Sequence, residues 1–270
     1  MSELGCLDGH IGPAQEIRIP ATDEGFLRGD GVFEVIRVYD GTPFALAEHL
    51  DRIERSAANL RLGWLVPRSV LEEEVPLLLA ERGGQEFDGL LRIVLTRGGH
   101  RLLLTEPMPG TPERIRLAYV TYAPTRVLDG VKSLSYAGNM LATRIAQERG
   151  FDEALLVTPH GRVLEAPTST IFWVGADGVL STPPLDDHIL ASITRDKLIE
   201  LLDVQERPLT TEELLEASEA FLASTVREVQ SVAAVEEREF PETGEVTRKA
   251  EAAFRAHLEA ELSWGRAARR

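Results

Sequence analysis

The chain has 270 residues, 43% of them hydrophobic and 27% charged, which are the proportions of a globular protein with a buried core. Its 44 acidic side chains outnumber the 29 basic ones, and the resulting net charge of −15 argues against a nucleic acid as a partner. No apolar run approaches the roughly 20 residues of a membrane span, and the single cysteine excludes an internal disulfide. We therefore expect a cytoplasmic protein with no metal and no membrane partner.

The first half of the chain alternates predicted strands and helices. The run DGTP at 40–43 predicts a hairpin turn, and a Pro-rich loop is expected over 105–112. Apolar residues recur at spacings of three and four from Leu46 to Leu60, as on a helix face that packs against a core. The predicted strands are 15–20, 32–39, 89–99 and 114–122, and the predicted helices are 46–61 and 68–82. These elements predict an N-terminal α/β domain over residues 1–122 and a connector at 123–130.

The second half, residues 131–270, mixes short strands with helices. We predict helices at 135–148, 192–202, 211–216 and 247–263, and strands at 154–158, 162–165, 170–174, 179–181 and 219–224. The acidic stretch 236–245 is expected to form a solvated hairpin or loop. Runs of strands with helices in two halves indicate an α+β enzyme with two domains.

Lysine is rare in this chain, and Lys132 immediately precedes a predicted apolar helix. The other two lysines are Lys197 and Lys249. Val131, Leu134 and Tyr136 surround Lys132 in the sequence with apolar or aromatic groups. Desolvation by such neighbours lowers the pKa of a lysine and makes its amine available as a nucleophile or base. The sequence alone also allows an ordinary solvated lysine at a helix flank.

One flank of the helix at 46–61 is polar although it borders the apolar stripe. At 100° per residue, His49, Arg52 and Ser56 cluster there. A charge at the edge of a buried face requires a counter-charge. A bound phosphate would supply it, and so would one of the many acidic side chains.

Six segments occur in the order and spacing of a known family. From about Asp23 to Val235 the chain resembles the class IV aminotransferases, which are fold type IV pyridoxal-phosphate enzymes. The family includes D-amino-acid aminotransferases, branched-chain aminotransferases and aminodeoxychorismate lyases. The six segments are DEGFLRGDGVFEVIRVYDG, EHLDRIERSA, KSLSYAGNMLA, GFDEALLVTPHGRVLEAPTSTIF, SITRDKL and STVREVQSV.

The resemblance implies a fold, a cofactor and a set of site residues. The fold would have a smaller N-terminal α/β domain and a larger C-terminal pseudo-barrel domain, the cofactor would be pyridoxal 5′-phosphate, and the assembly would be a homodimer. Lys132 matches the lysine that bonds covalently to the cofactor, and Glu165 matches the acid that pairs with the pyridine nitrogen. Tyr136 matches a neighbour of the ring hydroxyl. The residues that match phosphate contacts are Arg52, Ile193, Thr194, Ser224 and Thr225.

Several positions depart from the family pattern. Ser169-Thr170 stands where Ser-Asn is usual, Arg28 where many members have tyrosine, and Phe33 where D-amino-acid members often have tyrosine. Arg28 and Phe33 match residues that border the substrate pocket. Arg28, with Arg97 or Arg101, is predicted to bind a substrate carboxylate. The alternative is that these arginines pair with acidic side chains at the surface.

Three functions remain open at this stage. The resemblance favours an aminotransferase for a D-amino acid such as D-alanine or D-glutamate, with a 2-oxo acid as the second substrate. A branched-chain amino acid or an (R)-amine is an alternative substrate. A lyase of the aminodeoxychorismate type ranks lower, because that branch usually reads FTT where this chain has Phe33-Glu34-Val35. A non-enzymatic binding relative is disfavoured because both Lys132 and Glu165 are present.

Overall fold

The computed structural model describes residues 3–64, 66–240 and 242–267. Contacts divide the chain into two compact units. Unit 1 contains Met1–Pro109, Gly130–Tyr136 and Leu258–Arg270, and unit 2 contains Gly110–Asp129 and Ala137–His257. This grouping differs from the expected boundaries at 122 and 131 because the strand at 115–121 pairs with strands of unit 2, whereas the segment around Lys132 pairs with a strand of unit 1.

Unit 1 is built on a six-stranded antiparallel sheet with the strand order β2-β1-β6-β5-β3-β4. The turn between β3 and β4 is the predicted one: Asp40 and Gly41 both have positive φ, as a two-residue hairpin turn requires. The strands are β1 (Leu4–Leu7), β2 (His10–Pro13), β3 (Gly31–Tyr39), β4 (Thr42–Pro43), β5 (Gly89–Thr96) and β6 (Arg101–Glu106).

Three helices accompany this sheet: α1 (Glu24–Arg28), α2 (Leu46–Asn59) and α3 (Arg68–Arg82). Helix α2 contacts β3 and buries Leu50, Ile53 and Ala57, which belong to the apolar stripe seen in the sequence. The polar flank predicted beside that stripe is also buried, so its charged members lie in the interior of unit 1.

Unit 2 is built on a ten-stranded sheet with the order β12-β11-β10-β14-β15-β7-β8-β9-β13, and β16 pairs with β15. Strand β7 lies in the middle and runs parallel to both neighbours, β15 and β8. The strands are β7 (Ile115–Thr121), β8 (Glu153–Val157), β9 (Arg162–Val163), β10 (Thr170–Val174), β11 (Leu180–Thr182), β12 (Gln205–Glu206), β13 (Leu209–Thr210), β14 (Glu219–Ser224), β15 (Glu228–Val235) and β16 (Arg238–Glu239).

Four further helices follow in the chain: α4 (Ala137–Glu148), α5 (Ile193–Leu201), α6 (Thr211–Glu216) and α7 (Glu245–Ala267). Helix α4 packs on β7 and β8, and α5 packs on β14. Short 3-10 helices lie at Ala14–Glu16, Gly84–Glu86, Arg126–Leu128 and Leu185–Asp187. Within the described residues, none of the helices combines the length and the hydropathy needed to cross a bilayer.

The α+β class is confirmed, and most predicted elements occur within a few residues of their expected bounds. The strand predicted at 15–20 is wrong, because this segment begins in a 3-10 helix and the strands lie earlier, around an Asp8-Gly9 hairpin turn. The loop predicted from 105 starts later because β6 extends to Glu106 as the partner of β5 and β1. Strand β15 was missed.

Candidate active site

The main chain around Lys132 is fixed between a strand and a helix of unit 1. The Phe33 N–H donates to the Lys132 carbonyl at 3.0 Å, and the Leu134 N–H donates to the Gly31 carbonyl at 2.9 Å. From α2, the Ser56 hydroxyl accepts a hydrogen bond from the Lys132 N–H at 3.1 Å. The backbone of the lysine is therefore held from both sides, which restricts where its amine can lie.

The Lys132 amine lies against two aromatic rings. Its Nζ is 4.6 Å from the ring centroid of Phe33 and 5.9 Å from that of Tyr136. The two rings meet edge to face with centroids 5.3 Å apart. Two residues that the resemblance assigns to the site, Phe33 and Tyr136, thus lie beside the predicted covalent lysine.

A buried charged cluster of Glu34, His49 and Arg52 lies in the same unit. Glu34, on β3, is 0% exposed; Arg52 Nε and Nη2 donate to its two carboxylate oxygens at 2.7 and 2.6 Å. His49 Nδ1 is 2.7 Å from Glu34 Oε2. Burial opposes the charge on Glu34, but Arg52 and His49 outweigh it and lower the pKa of the carboxyl to about 2. Burial is the largest cause that lowers the pKa of His49; Arg52 and Lys132 act in the same direction, and Glu34 opposes them.

Arg52 therefore has an acidic partner, which is one of the two possibilities left open by the sequence. Glu34 occupies the Nε and Nη2 edge of the guanidinium. The predicted contact of Arg52 with a phosphate stays a prediction. Sequence reasoning missed Glu34 itself, although the single acid of a mostly apolar strand was a usable signal.

Replacement of Glu34 by Gln should destabilise the protein at neutral pH by about 3–5 kcal/mol, because the buried Arg52 would lose the carboxylate that it contacts through Nε and Nη2. The folded-state pKa of Glu34 lies below its ordinary value of 4.5, so its contribution is complete above about pH 4.5 and is lost as the pH falls towards 2. Urea unfolding at several pH values measures the unfolding free energy of both proteins. The difference between variant and wild type should decrease as the pH falls from about 4.5 towards 2. Asp88→Asn, which removes the half-exposed partner of Arg37, should cost about 1 kcal/mol or less. A Glu34→Gln variant as stable as wild type at pH 7 would contradict the role of this charge.

In unit 2, Glu165 stands where a strand ends in a tight turn. Its carbonyl accepts from the Leu156 N–H at 2.9 Å, and Ala166 and Ser169 exchange two backbone hydrogen bonds directly afterwards. The Leu190 N–H donates to Glu165 Oε1 at 3.3 Å, which orients the carboxylate. Burial and the charge of Glu165 raise the pKa of Tyr122.

The predicted phosphate residues of unit 2 lie at two backbone turns. Ile193 and Thr194 are buried in the first turn of α5, where Ser192 caps the helix and backbone N–H groups lack intrahelical acceptors. Ser224 ends β14 and Thr225 follows it in a turn. The first turn of α5 therefore has the backbone donors that an anion requires, and Ser224 and Thr225 each carry a hydroxyl group.

Thr170, which replaces the usual asparagine, was not assigned a contact by sequence reasoning. It is 1% exposed, and within the described residues its Oγ1 has no hydrogen-bond partner. It pairs with Ala223 on β14, next to Ser224. A buried hydroxyl without a partner is a group that a bound polar ligand would satisfy.

The three arginines predicted to bind a carboxylate each have an acidic partner in unit 1. Arg28 is 74% exposed and its Nε is 2.7 Å from Glu24. Arg97 pairs with Asp30, and Arg101 Nε and Nη2 contact both oxygens of Glu74 at 2.6–3.1 Å. Their predicted substrate contact stays a prediction. No group of three or more His, Cys, Asp or Glu side chains with a metal-site arrangement was found among residues 3–64, 66–240 and 242–267.

Comparison of the sequence and the fold with known proteins identifies the family of this chain. The sequence model described as "Amino-transferase class IV" matches residues 31–235. A provisionally named branched-chain-amino-acid aminotransferase of Methanocaldococcus jannaschii is 34% identical, with 96% of each chain covered. A D-alanine aminotransferase of Bacillus licheniformis is 31% identical over 85% of this chain and 87% of its own. The solved fold IV transaminase CpuTA1 of Curtobacterium pusillum has a TM-score of 0.81 at 30% identity and covers 93% of this chain and 98% of its own.

The chain belongs to the class IV aminotransferase family. It is a transaminase that depends on pyridoxal 5′-phosphate. Each unit has groups whose chemistry suits this cofactor. In unit 1 the Lys132 amine lies against aromatic rings and could bond to an aldehyde. In unit 2 the N-terminus of α5 has backbone donors suited to a phosphate.

Proposed function

We propose that this transaminase moves an amino group from a D-amino acid, such as D-alanine or D-glutamate, to a 2-oxo acid. Two observations support the D-amino acid: the resemblance of the β3 segment GDGVFEVIRVYDG to that branch, and the similarity to the Bacillus licheniformis D-alanine aminotransferase. An L-branched-chain amino acid is the second candidate, favoured by the similarity to the Methanocaldococcus jannaschii protein. We also propose that the enzyme works as a homodimer, as the family resemblance implies.

Lys132 carries the main part of the proposed chemistry. Its main chain is held by β3 and α2, and its amine lies against Phe33 and Tyr136. When bound, the cofactor supplies an aldehyde for amines and a ring that accepts the electron pair left at the substrate α-carbon. The Lys132 amine would bond to the cofactor between turnovers and, once displaced by substrate, would move the proton between the substrate α-carbon and the cofactor carbon C4′.

The other assigned residues would bind and orient the cofactor. Glu165 would hold the proton at the pyridine nitrogen, and Tyr136 would lie beside the ring hydroxyl. The phosphate would be bound by five residues: Arg52, Ile193, Thr194, Ser224 and Thr225. The net charge of −15 disfavours binding of an anion, so the phosphate needs local donors. Backbone N–H groups at the start of a helix and at a turn would supply them.

Single half-reactions test the proposed substrate. The loaded enzyme would be mixed with D- and L-alanine, D- and L-glutamate and L-leucine, and release of the 2-oxo acid would be followed. We expect the D-enantiomers to react fastest. A fastest reaction with L-leucine would favour the branched-chain candidate, and keto-acid release from aminodeoxychorismate without an amino acceptor would indicate a lyase.

The proposed carboxylate contact makes a separate prediction for Arg28 and Arg101. An α-carboxylate that enters a partly dry pocket needs a fixed cation, and the planar fork of arginine can bind both of its oxygens. Replacement of either arginine by Leu should reduce kcat/KM for the amino acid by about 10–100-fold, the value of a charge-assisted hydrogen bond. The rate with a simple primary amine of similar shape should change little.

Arg116→Leu is the matched control, because Arg116 is an exposed arginine paired with Glu239. It should affect neither substrate. An equal loss for the amino acid and the amine in the Arg28 and Arg101 variants would show that neither residue binds the carboxylate, and the ion pairs with Glu24 and Glu74 would then be their whole role.

A further inference from the structure

Arg227 is the last residue of the turn that follows Ser224 and includes Thr225, and its side chain is only 11% exposed. Its Nε donates to the Ser169 hydroxyl at 3.0 Å, its Nη1 donates to the Gln230 side-chain oxygen, and its Nη2 donates to Glu153 Oε2 at 2.7 Å. Its backbone N–H donates to Ser224 Oγ at 3.3 Å. One residue therefore connects several separate segments of unit 2.

The partners of Arg227 are themselves held. Glu153, on β8, is 6% exposed, and its second oxygen accepts a hydrogen bond from the Thr143 hydroxyl on α4. The Gln230 amide donates to the Pro112 carbonyl. The guanidinium is thus neutralised by a fixed carboxylate, so its contribution to a ligand nearby is geometric more than electrostatic.

Two of the connected segments carry residues assigned to the cofactor. Ser169 closes the tight turn that follows Glu165. Ser224 is a predicted phosphate contact at the end of β14. Because β10 and β14 are antiparallel and Thr170 pairs with Ala223, both turns lie at the same end of this strand pair. Arg227 spans the gap between them.

We propose that Arg227 is a positioning residue that holds the Ser224–Thr225 turn and the turn after Glu165 in one fixed arrangement, and so enables unit 2 to distinguish pyridoxal phosphate from pyridoxal. The proposal rests on the proposed function, in which Ser224 and Thr225 bind the phosphate. A turn that is already ordered binds an anion without the entropic cost of ordering it. Without its side chain, residue 227 would keep the backbone hydrogen bond to Ser224 Oγ but lose the contacts with Ser169 and Glu153. The phosphate itself would then have to order the turn relative to the segment after Glu165.

The test is the ratio of the dissociation constants for pyridoxal and pyridoxal phosphate, measured on the full-length apoprotein by equilibrium dialysis. Arg227→Met keeps the length of the side chain and removes its donors. We expect the ratio to fall about tenfold, the cost of ordering two side chains on binding. Arg227→Lys keeps the charge without the fork and should recover only part of the ratio.

Arg114→Met is the matched structural control. Arg114 also connects separate segments of unit 2, through hydrogen bonds to Ser231, Val232 and Phe240, and these three residues lie outside both cofactor turns. This variant should lower the thermal midpoint and leave the ratio at the wild-type value. If Arg227→Met likewise lowers the thermal midpoint but leaves the ratio unchanged, the role of Arg227 is only structural and the proposal is overturned.

Two further variants separate this proposal from the proposed function. Ser224→Ala and Thr194→Ala remove assigned phosphate contacts and should themselves lower the ratio. If they do not, the phosphate assignment fails; if they do and Arg227→Met does not, only the positioning role fails. Should Arg227→Met not fold, Ser169→Ala decides, because it removes only the acceptor of Arg227 Nε. An unchanged ratio in Ser169→Ala would then overturn the proposal.

Discussion

Replacement of Lys132 by Ala is expected to reduce single-turnover transamination by at least about 10⁴-fold. A positioned acid–base group alone contributes up to about this factor, and covalent attachment of the cofactor would be lost as well. The geometry around the residue explains why no other lysine should substitute. The Lys132 backbone is hydrogen-bonded to Phe33 and Ser56, and its Nζ lies 4.6 Å from the ring centroid of Phe33.

Covalent labelling tests the same assignment without reference to activity. Borohydride reduction of the loaded enzyme, followed by peptide mapping, should place a pyridoxyl group on Lys132. Lys249→Arg is the control, since Lys249 is exposed on α7 and its replacement should change neither the label nor the rate. A label on Lys197 or Lys249 would refute the assignment of Lys132.

Local sequence signals are sufficient to predict an element whose conformation depends on residues close together in the chain. The Asp-Gly pair at 40–41 predicts its hairpin because both residues adopt positive φ there. The same dipeptide at Asp8-Gly9 forms the β1–β2 turn and was overlooked, because Leu4–Leu7 is a short strand that includes a glycine. The apolar spacing of α2 likewise predicts its buried face without knowledge of what covers it.

Elements that depend on distant partners could not be predicted in this way. Strand β15 is stabilised by β14 on one side and by β7, more than one hundred residues earlier, on the other. Its inner positions include Gln230 and Ser231, which interrupt the apolar pattern of a buried strand. The Lys132 segment joins unit 1 for the same reason: its hydrogen bonds are to β3 and α2.

In the site, too, helix spacing predicts which residues share a face, but not which distant residues they contact. Helix spacing alone places His49, Arg52 and Ser56 on one flank, and all three are buried there. It cannot reveal that Glu34 of β3 faces that flank, because the partner of a helix face is decided by tertiary packing. In the same way, the charges of Arg97 and Arg101 are visible in the sequence, but their pairing with Asp30 and Glu74 is not.

Glu165→Gln should leave the cofactor bound but slow loss of the substrate α-proton by about 10²–10³-fold. In the proposed function the Glu165 carboxylate holds the proton at the pyridine nitrogen, and this proton enables the ring to accept the electron pair left at the α-carbon. A neutral amide cannot hold it equally well, and the loss matches that of one electrostatic contact made in the transition state. The Leu190 N–H, 3.3 Å from Oε1, should still orient the amide oxygen, so the variant changes charge more than position.

Single-turnover rates would be measured with the ordinary and the α-deuterated amino acid. If the slowed step is the one that breaks the bond between the α-carbon and its hydrogen, the isotope effect on the rate should rise in the variant. Glu236→Gln serves as the control: it removes another half-buried carboxylate of unit 2, which pairs with Arg149 and is not assigned to the cofactor. It should keep the wild-type rate. An unchanged single-turnover rate in Glu165→Gln would mean that the ring nitrogen receives its proton from another group, and Glu165 would then be no more than the acceptor of the Leu190 hydrogen bond.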